Sequence, residues 1–157
     1  MKNIIIYAVV FIVAYSVFKL ICPFVFVVGD SMVPTLTSGE LLMKTNAKDI
    51  NRGDIIVLKD PENQSHKLIK RVIGMPGEKV KITKGKVYIN NILLDEPLIE
   101  KVTCTVTGES EKWSVKAGEY FVLGDNRDNS KDSRIFGAVK KDLIIGGIKY
   151  IKNHDNA

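Results

Sequence analysis

The fold of this chain is decided by the stretch from Lys67 to Asn90, which reads KLIKRVIGMPGEKVKITKGKVYIN. It begins with a largely apolar run from Lys67 to Ile73, which ends at the turn residues Gly74-Met75-Pro76-Gly77. Two further short runs, Lys79–Thr83 and Lys86–Asn90, then flank a Lys-Gly pair in the pattern of a β-hairpin. Short runs rich in Val, Ile and Tyr between turn residues are typical of strands. The stretch therefore predicts β structure.

The same pattern extends in both directions from this stretch. The candidate strands are Phe24–Val28, Leu41–Thr45, Asp54–Lys59, Lys67–Ile73, Lys79–Thr83, Lys86–Asn90, Lys101–Val106, Glu119–Leu123, Ala138–Lys140 and Ile144–Lys152. No sustained helical period follows residue 30, although we expect one helical turn over Ala47–Asn51. The chain is therefore predicted to be mostly β, with coiled, barrel-like antiparallel sheets.

The N-terminal segment differs from the rest in being almost free of charge. Ile4 to Phe18 carries no charged residue, and apolar character resumes after Lys19. A helix from about Asn3 to Ile21 would be roughly 28 Å long, close to the thickness of the hydrocarbon core of a bilayer, and Pro23 would end it. We therefore predict a transmembrane anchor over residues 1–22 and a β domain over residues 23–157.

A cleaved secretory signal is the alternative interpretation of this segment, since Met1-Lys2-Asn3 resembles a charged n-region. No clear small-x-small site follows the apolar run before Pro23, which favours a retained anchor. Lys2 and the terminal amine favour a cytoplasmic N-terminus. Lys19, at the other end of the segment, weakens that argument.

The charge and the cysteine content of the chain indicate which partners and cofactors to expect. The formal net charge is +5, and without Lys2 and Lys19 of the apolar segment an excess of +3 remains. This mild excess suits a domain lying on an anionic phospholipid surface. No basic helix or aromatic-basic motif accompanies it, so we expect no nucleic acid partner. Cys22 and Cys104 do not form a disulfide framework and are predicted to be free thiols or packing residues. No Cys/His spacing indicates zinc, and we expect no metal or organic cofactor.

A serine and a lysine offer the elements of nucleophilic catalysis. Ser31 lies in a predicted turn, in the segment GDSMVPTL of residues 29–36. A serine hydroxyl needs a base to remove its proton, and only two histidines are present. Lys70 lies in an apolar strand, where burial can lower the pKa of an amine by several units. Strand alternation places Lys70 and Arg71 on opposite faces, so one can enter a cleft while the other meets solvent or a carboxylate.

Three segments closely resemble those of the bacterial type I signal peptidases: GDSMVPTL at residues 29–36, KRVIGMPG at residues 70–77 and GDNRDNSKDSR at residues 124–134. The three blocks occur in the order that the family has, and the resemblance covers nearly the whole chain. It implies a membrane-bound serine endopeptidase that removes N-terminal signal peptides from secreted preproteins. It also implies an extracytoplasmic catalytic domain, with the N-terminus in the cytoplasm. The short segment from about 78 to 118, where the family has a variable β region, resembles a minimal Gram-positive form.

The resemblance implies a role for each site residue. Ser31 is the nucleophile, Lys70 is the general base, and Ser130 orients the lysine. Arg71 is expected to form an ion pair with Asp125, and Asp132 is expected to form one with Arg134. Together with Arg127, these residues are expected to support the loop that carries Ser130. Met32 is expected beside the cleft, near the lipid surface, or in the core. The substrate is expected to bind as an added strand, with small residues at the first and third positions before the cut.

One position departs from the Gram-negative pattern of the family. That pattern has a second serine two residues before the nucleophile, where its hydroxyl helps to bind the oxyanion, whereas this chain has Gly29. The Ser31 backbone N–H remains as a donor. Whether another backbone group or a water assists it is left open by the sequence.

Three alternative functions are weighed against the general peptidase. A self-cleaving Ser-Lys repressor would carry a helical DNA-binding module where this chain has its apolar segment. A catalytically inactive, membrane-tethered assembly factor would be favoured by loss of the serine or the lysine, and both are present. A peptidase restricted to pilus or surface proteins has the same sequence features as a general one. We expect a monomer in each case.

Overall fold

The structure is a computed structural model that describes residues 2–21, 24–96 and 110–149. It begins with helix α1 (Lys2–Ile21). The strands that follow are β1 (Phe24–Phe26), β2 (Leu41–Thr45), β3 (Ile55–Lys59), β4 (Lys67–Gly74), β5 (Lys79–Thr83), β6 (Lys86–Ile89), β7 (Ile92–Leu93), β8 (Glu111–Ser114), β9 (Glu119–Leu123), β10 (Val139–Lys140) and β11 (Ile144–Lys149). A short helix α2 (Ser133–Phe136) and a 3-10 turn (Lys141–Leu143) lie between β9 and β11. Within the described ranges, no helix combines the length and the apolar content needed to cross a membrane.

The strands form two antiparallel sheets. The larger one has seven strands in the order β1-β2-β11-β3-β4-β9-β10, and the smaller one has four in the order β7-β6-β5-β8. Over the residues that the structure describes, each sheet is open: β1 and β10 are the edges of the first, and β7 and β8 are the edges of the second. The prediction of a mostly β fold is therefore confirmed, whereas neither sheet closes into the barrel-like form that the sequence suggested.

Most of the strand predictions are confirmed within a residue or two at each end. Leu41–Thr45, Lys79–Thr83 and Glu119–Leu123 have the predicted bounds. The helical turn expected over Ala47–Asn51 is wrong, because this segment is an irregular bend. The predicted strand Lys101–Val106 lies outside the described residues, as do Cys22 and Cys104.

Two strands and one helix were not predicted. β7 and β8 are only two and four residues long, too short to show an alternating pattern. Helix α2 has a single turn and is capped at its N-terminus by Asp132, whose carboxylate accepts a hydrogen bond from the Arg134 backbone N–H. Such short elements depend on the contacts of the rest of the fold.

Strand β9 organises the core because it is buried on both faces. Phe121 and Leu123 pack into the cluster between the two sheets, with Val80 and Val87 of the smaller sheet. The alternate residue Val122 packs on the other face of the seven-stranded sheet. Alternation along one buried strand thus joins two apolar layers.

The two sheets come close together at Gly74, the last residue of β4. A Cβ atom there would lie 2.6 Å from Val80 Cγ2 and 2.9 Å from Phe121 Cβ. Only a residue without a side chain fits between these atoms. The glycine therefore allows β4 to lead directly into the smaller sheet.

Candidate active site

Ser31 lies in a tight turn that follows β1. Val33 N donates to the Asp30 carbonyl at 3.2 Å, and Leu36 N donates to the Met32 carbonyl at 2.9 Å. The turn is held to the core by its buried side chains, Met32 and Leu36, which pack against Val27 and Leu42. The serine is thereby carried on a short, well-anchored segment at the surface of the seven-stranded sheet.

Lys70 lies in β4 and is 2 % exposed. Its Nζ donates to Ser31 Oγ at 2.6 Å and to the Ile69 carbonyl oxygen at 2.9 Å. Burial lowers the pKa of Lys70 from 10.5 to about 8, against the opposing effect of the negative charges of Asp132 and Asp125. The amine can therefore lose its proton at a mildly alkaline pH while it touches the serine hydroxyl.

Arg71, the next residue, points to the opposite face, as alternation predicts. Its Nε donates to Asp125 Oδ1 at 2.8 Å and its Nη2 to Asp125 Oδ2 at 2.6 Å, so the pair is bidentate. Arg71 also donates to the Gly53 carbonyl at 2.7 Å. The hydrogen bonds with Asp125 raise the pKa of Arg71. This is the ion pair that the family resemblance implies.

Asp125 belongs to a segment of residues 124–132, here called the site loop, which follows β9. The loop is joined to the serine turn by two hydrogen bonds from Asn126. Its backbone N–H donates to the Ser31 carbonyl at 3.1 Å, and its side-chain amide donates to the Asp30 carbonyl at 3.1 Å. The loop and the turn are thus tied together beside Lys70.

Asp132 closes the loop and is fully buried. Its Oδ2 accepts from the Gly124 backbone N–H at 3.0 Å and from Arg134 Nη2 at 2.8 Å. Arg134 in turn donates to the Arg127 carbonyl at 2.6 Å. Arg127 is 4 % exposed, and its Nε donates to the Gly124 carbonyl at 3.0 Å. The structure therefore brings Arg127, Asp132 and Arg134 together at the end of the loop.

Ser130 is placed next to the site but does not make the contact that was expected. Within the described part of the chain, its buried Oγ has no hydrogen-bond partner, and the expected hydrogen bond to Lys70 is therefore not formed. The hydroxyl packs on Gly124, where a Cβ atom would collide with it and would lie 2.5 Å from the Ser31 carbonyl oxygen. The serine is close to the Ser31 turn, but Lys70 Nζ is turned to Ser31 and Ile69.

A groove with a volume of about 360 Å³ runs past Ser31 and Lys70. Its walls are β1 with the following residues to Gly29, and the first half of β4 from Lys67 to Lys70. Met32 lines the groove and is also 1 % exposed within the core, so its positions beside the cleft and in the core are not alternatives. Strand β9 pairs with β4 only from Arg71 onwards, so the wall from Lys67 to Lys70 has no strand partner on that side within the described part of the chain.

The described residues hold no group of three or more His, Cys, Asp or Glu side chains arranged to bind a metal ion. The site carries ammonium, guanidinium and carboxylate groups, and Arg71 and Arg134 form ion pairs with Asp125 and Asp132. The chemistry available to them is proton transfer, hydrogen bonding and nucleophilic attack by a hydroxyl.

Three charged residues of this region were missed by the sequence reasoning. Glu96 binds Arg127, with Arg127 Nη1 donating to Glu96 Oε2 at 3.2 Å. Asp60 is buried and accepts a hydrogen bond from Lys131 Nζ at 2.8 Å. Lys131 stands between Ser130 and Asp132 in the third block, which was a local signal. Glu96 and Asp60 gave no such signal, because they are far from their partners in sequence.

Comparison with known proteins gives a consistent result. The family described as "Signal peptidase, peptidase S26" matches residues 1–152. Signal peptidase I T of Bacillus subtilis is 37% identical over 135 residues, which cover 78% of this chain and 69% of that protein. Signal peptidase IB of Staphylococcus aureus is 32% identical over 91% of this chain and 84% of that protein. The crystal structure of a signal peptidase I from Enterococcus faecalis is similar with a TM-score of 0.58 and 34% identity, over 65% of this chain and 98% of that one.

Proposed function

Since this chain belongs to the bacterial type I signal peptidases of family S26, which hydrolyse peptide bonds, we propose that it cleaves signal peptides with a Ser31–Lys70 dyad. The observation that carries the proposal is the 2.6 Å contact between Lys70 Nζ and Ser31 Oγ in an open groove. A serine next to a buried lysine has a base within reach of its proton. The lowered pKa of Lys70 supports this role, because the neutral amine is the form that acts as a base.

In the proposed reaction, neutral Lys70 takes the proton of Ser31 Oγ as the oxygen attacks the scissile carbonyl. The resulting ammonium gives a proton to the leaving amine, and water then hydrolyses the ester on Ser31. The developing oxyanion needs a donor already in place. The Ser31 backbone N–H supports this role, since within the described residues it donates to no other acceptor.

The substrate would bind as an extended strand. Among the described strands, none pairs with the wall of the groove from Lys67 to Lys70 on the side of β9, and β1 is an edge strand of its sheet. Unpaired strand edges offer backbone donors and acceptors to a peptide. We propose that secreted preproteins with small residues at the first and third positions before the cut bind between these two edges.

The polar network around the loop is assigned a supporting role. We propose that Arg71, Asp125, Arg127, Asp132 and Arg134 hold the site loop and do not take part in proton transfer. Their mutual ion pairs support this assignment, since each carboxylate already has a cation as its partner. Ser130 is proposed to orient the lysine once substrate binding or proton transfer turns the amine towards it.

Helix α1 is proposed to anchor the chain in the cytoplasmic membrane, with residues 23–157 outside. The large apolar side chains of the helix are exposed over the described residues, as in Ile4 and Phe11, each 71% exposed. Exposed apolar residues continue onto β1 and β2 at Phe24, Phe26 and Leu41. Such a surface favours lipid as its neighbour. Recovery in the membrane fraction after an alkaline wash, lost on removal of residues 1–22, tests this proposal.

The test of the peptidase function is cleavage of a preprotein with an Ala-x-Ala site by the full-length chain in detergent micelles. We expect Ser31→Ala and Lys70→Met each to lower the rate by about 10⁴-fold or more. Mass spectrometry of the product should place the new N-terminus directly after the second alanine. Ser114→Ala and Lys81→Met, both in the smaller sheet, are the matched controls and should retain the wild-type rate.

Each contrary result has a distinct meaning in this test. Equal cleavage by wild type and Ser31→Ala would contradict the nucleophile. A rate that survives Lys70→Met would contradict the base. Absence of cleavage by the wild type would contradict a general peptidase, and it would favour a restricted substrate or the non-enzymatic assembly factor.

A further inference from the structure

A buried carboxylate outside the predicted network contacts the site loop. Asp60 is 3 % exposed and lies at the tip of the β3–β4 hairpin, where its backbone N–H donates to the His66 carbonyl at 3.0 Å. Its Oδ2 accepts from Lys131 Nζ at 2.8 Å, and its Oδ1 accepts from the Glu62 backbone N–H at 2.9 Å. A buried carboxylate without a cation is strongly unfavourable. The hairpin tip therefore needs Lys131 next to it.

The protonation state of this carboxylate agrees with that need. Burial acts to raise the pKa of Asp60, but the hydrogen bond from Lys131 and the positive charge of that residue act in the other direction and prevail. The pKa of Asp60 is therefore below its ordinary value. The contact with Lys131 is an ion pair at neutral pH.

Because of the strand order, the Asp60–Lys131 ion pair links two segments on either side of β4, the strand that carries Lys70. Strand β4 lies between β3 and β9. The site loop begins where β9 ends, opposite Arg71, and through Lys131 it reaches Asp60 at the other end of the β3–β4 pairing. The stretch of β4 between these two points includes Lys70. The loop is thus fixed on both sides of the candidate base.

The other anchors of the loop lie elsewhere. Asp125 fixes its beginning to Arg71, and Asp132 fixes its end to Gly124. Ser130 lies between these anchors, and Lys131 is its immediate neighbour in the chain. The ion pair of Lys131 with Asp60 therefore sets the position of the backbone next to the buried Ser130 hydroxyl.

We propose that Asp60 and Lys131 are positioning residues, whose ion pair holds the site loop so that Ser130 stays beside Ser31 and Lys70. This inference rests on the proposed Ser-Lys chemistry. Misplacement of a supporting group by about 1 Å can cost up to about 10²-fold in rate. The pair thus acts on catalysis through Ser130, without touching the substrate.

The experiment measures kcat and KM of the full-length chain in micelles, well below the unfolding temperature. We expect Lys131→Met and Asp60→Asn each to lower kcat about tenfold, with KM changed by less than about twofold. Lys131→Arg keeps the charge and should restore most of the rate. Glu62→Gln is the matched control: Glu62 also contacts Lys131, at 2.7 Å, but it is 58% exposed, and its loss should leave kcat unchanged.

A double variant separates positioning from a purely structural contribution. If Lys131 acts through Ser130, Lys131→Met should cost no further rate in a Ser130→Ala background, because the two losses are not additive. Additive losses, a wild-type kcat in Lys131→Met, or an equal loss in Glu62→Gln would each overturn the inference. Absence of cleavage by the wild type would overturn the proposed function and this inference with it. Cleavage that depends on Ser31 but not on Lys131 would overturn only the inference.

Discussion

The two sheets of this protein differ in what they bury. The region around β4, β9 and the site loop buries charged side chains, and in the described residues these are Asp60, Lys70, Asp125, Arg127 and Asp132. The buried side chains of the four-stranded sheet are apolar, among them Val80, Val87 and Ile89. Apolar burial stabilises a fold at no electrostatic cost, whereas each buried charge requires a partner. The contrast separates the part of the molecule that is arranged for chemistry from the part that is arranged for stability.

Lys70 is the side chain that most clearly separates the two regions. A buried amine with a pKa of about 8 lowers the stability of the fold at neutral pH, since burial disfavours its charged form. An apolar residue of similar size would fit such a site without that cost. The presence of Lys70 at this position is therefore explained by its contact with Ser31 and not by stability.

The largest expected difference concerns the ion pairs of the two regions. Asp125→Asn removes the buried partner of Arg71, and we expect it to lower the free energy of unfolding by about 3 kcal/mol, since the arginine keeps only neutral acceptors. Glu78→Gln is the counterpart at the start of the smaller sheet, where Arg52 and Glu78 are 31% and 19% exposed. We expect it to cost less than about 1 kcal/mol.

Urea unfolding of the two variants in detergent, followed by circular dichroism, measures this difference. Equal losses in Asp125→Asn and Glu78→Gln would remove the distinction between the two regions. A small loss in both would mean that the Gly53 carbonyl and Thr35 Oγ1 satisfy Arg71 without the charge of Asp125.

The next expected effect is a dependence on pH that arises from Lys70. With a pKa of about 8, the neutral amine is a minor form at pH 7 and the major one at pH 9. We therefore expect kcat/KM to rise about tenfold between these values. Cleavage rates at fixed ionic strength measure the rise. A flat profile would contradict Lys70 as the base.

The same pKa has a consequence for stability with a definite sign. Between pH values of about 8 and 10.5, the unfolded chain keeps the proton on Lys70 and the folded chain does not. The contribution of Lys70 to the free energy of unfolding therefore increases with pH in this window. Lys70→Met should lack that increase. An identical slope in wild type and variant would contradict the lowered pKa.

The sequence predicted the parts of this arrangement that depend on local pattern. Alternation in β4 placed Lys70 and Arg71 on opposite faces, and the structure shows one at Ser31 and the other at Asp125. Strands such as Glu119–Leu123 were found from their composition and their flanking turns. These features follow from neighbouring residues, which a single sequence contains.

The parts that the sequence did not predict depend on contacts between distant segments. Lys131 and Asp60 are 71 residues apart, and Arg127 and Glu96 are 31 apart. Whether two charges meet at such a separation is decided by the order of strands in the sheet, which one sequence does not specify. The Ser130 hydroxyl illustrates the same limit at closer range, since the packing against Gly124 sets its direction.

The smallest expected effect tests whether the four-stranded sheet is separable from the chemistry. Ile82→Val removes one buried methylene group from the cluster between the sheets, and we expect a loss of about 1 kcal/mol in the free energy of unfolding. Because Ile82 lies in the four-stranded sheet and packs in an apolar cluster, kcat should stay at the wild-type value. Thermal unfolding and cleavage assays on the same preparation measure both. A fall in kcat without a fall in stability would contradict this separation. It would show that a change in the packing between the sheets, close to Gly74, alters the position of β4 and of Lys70.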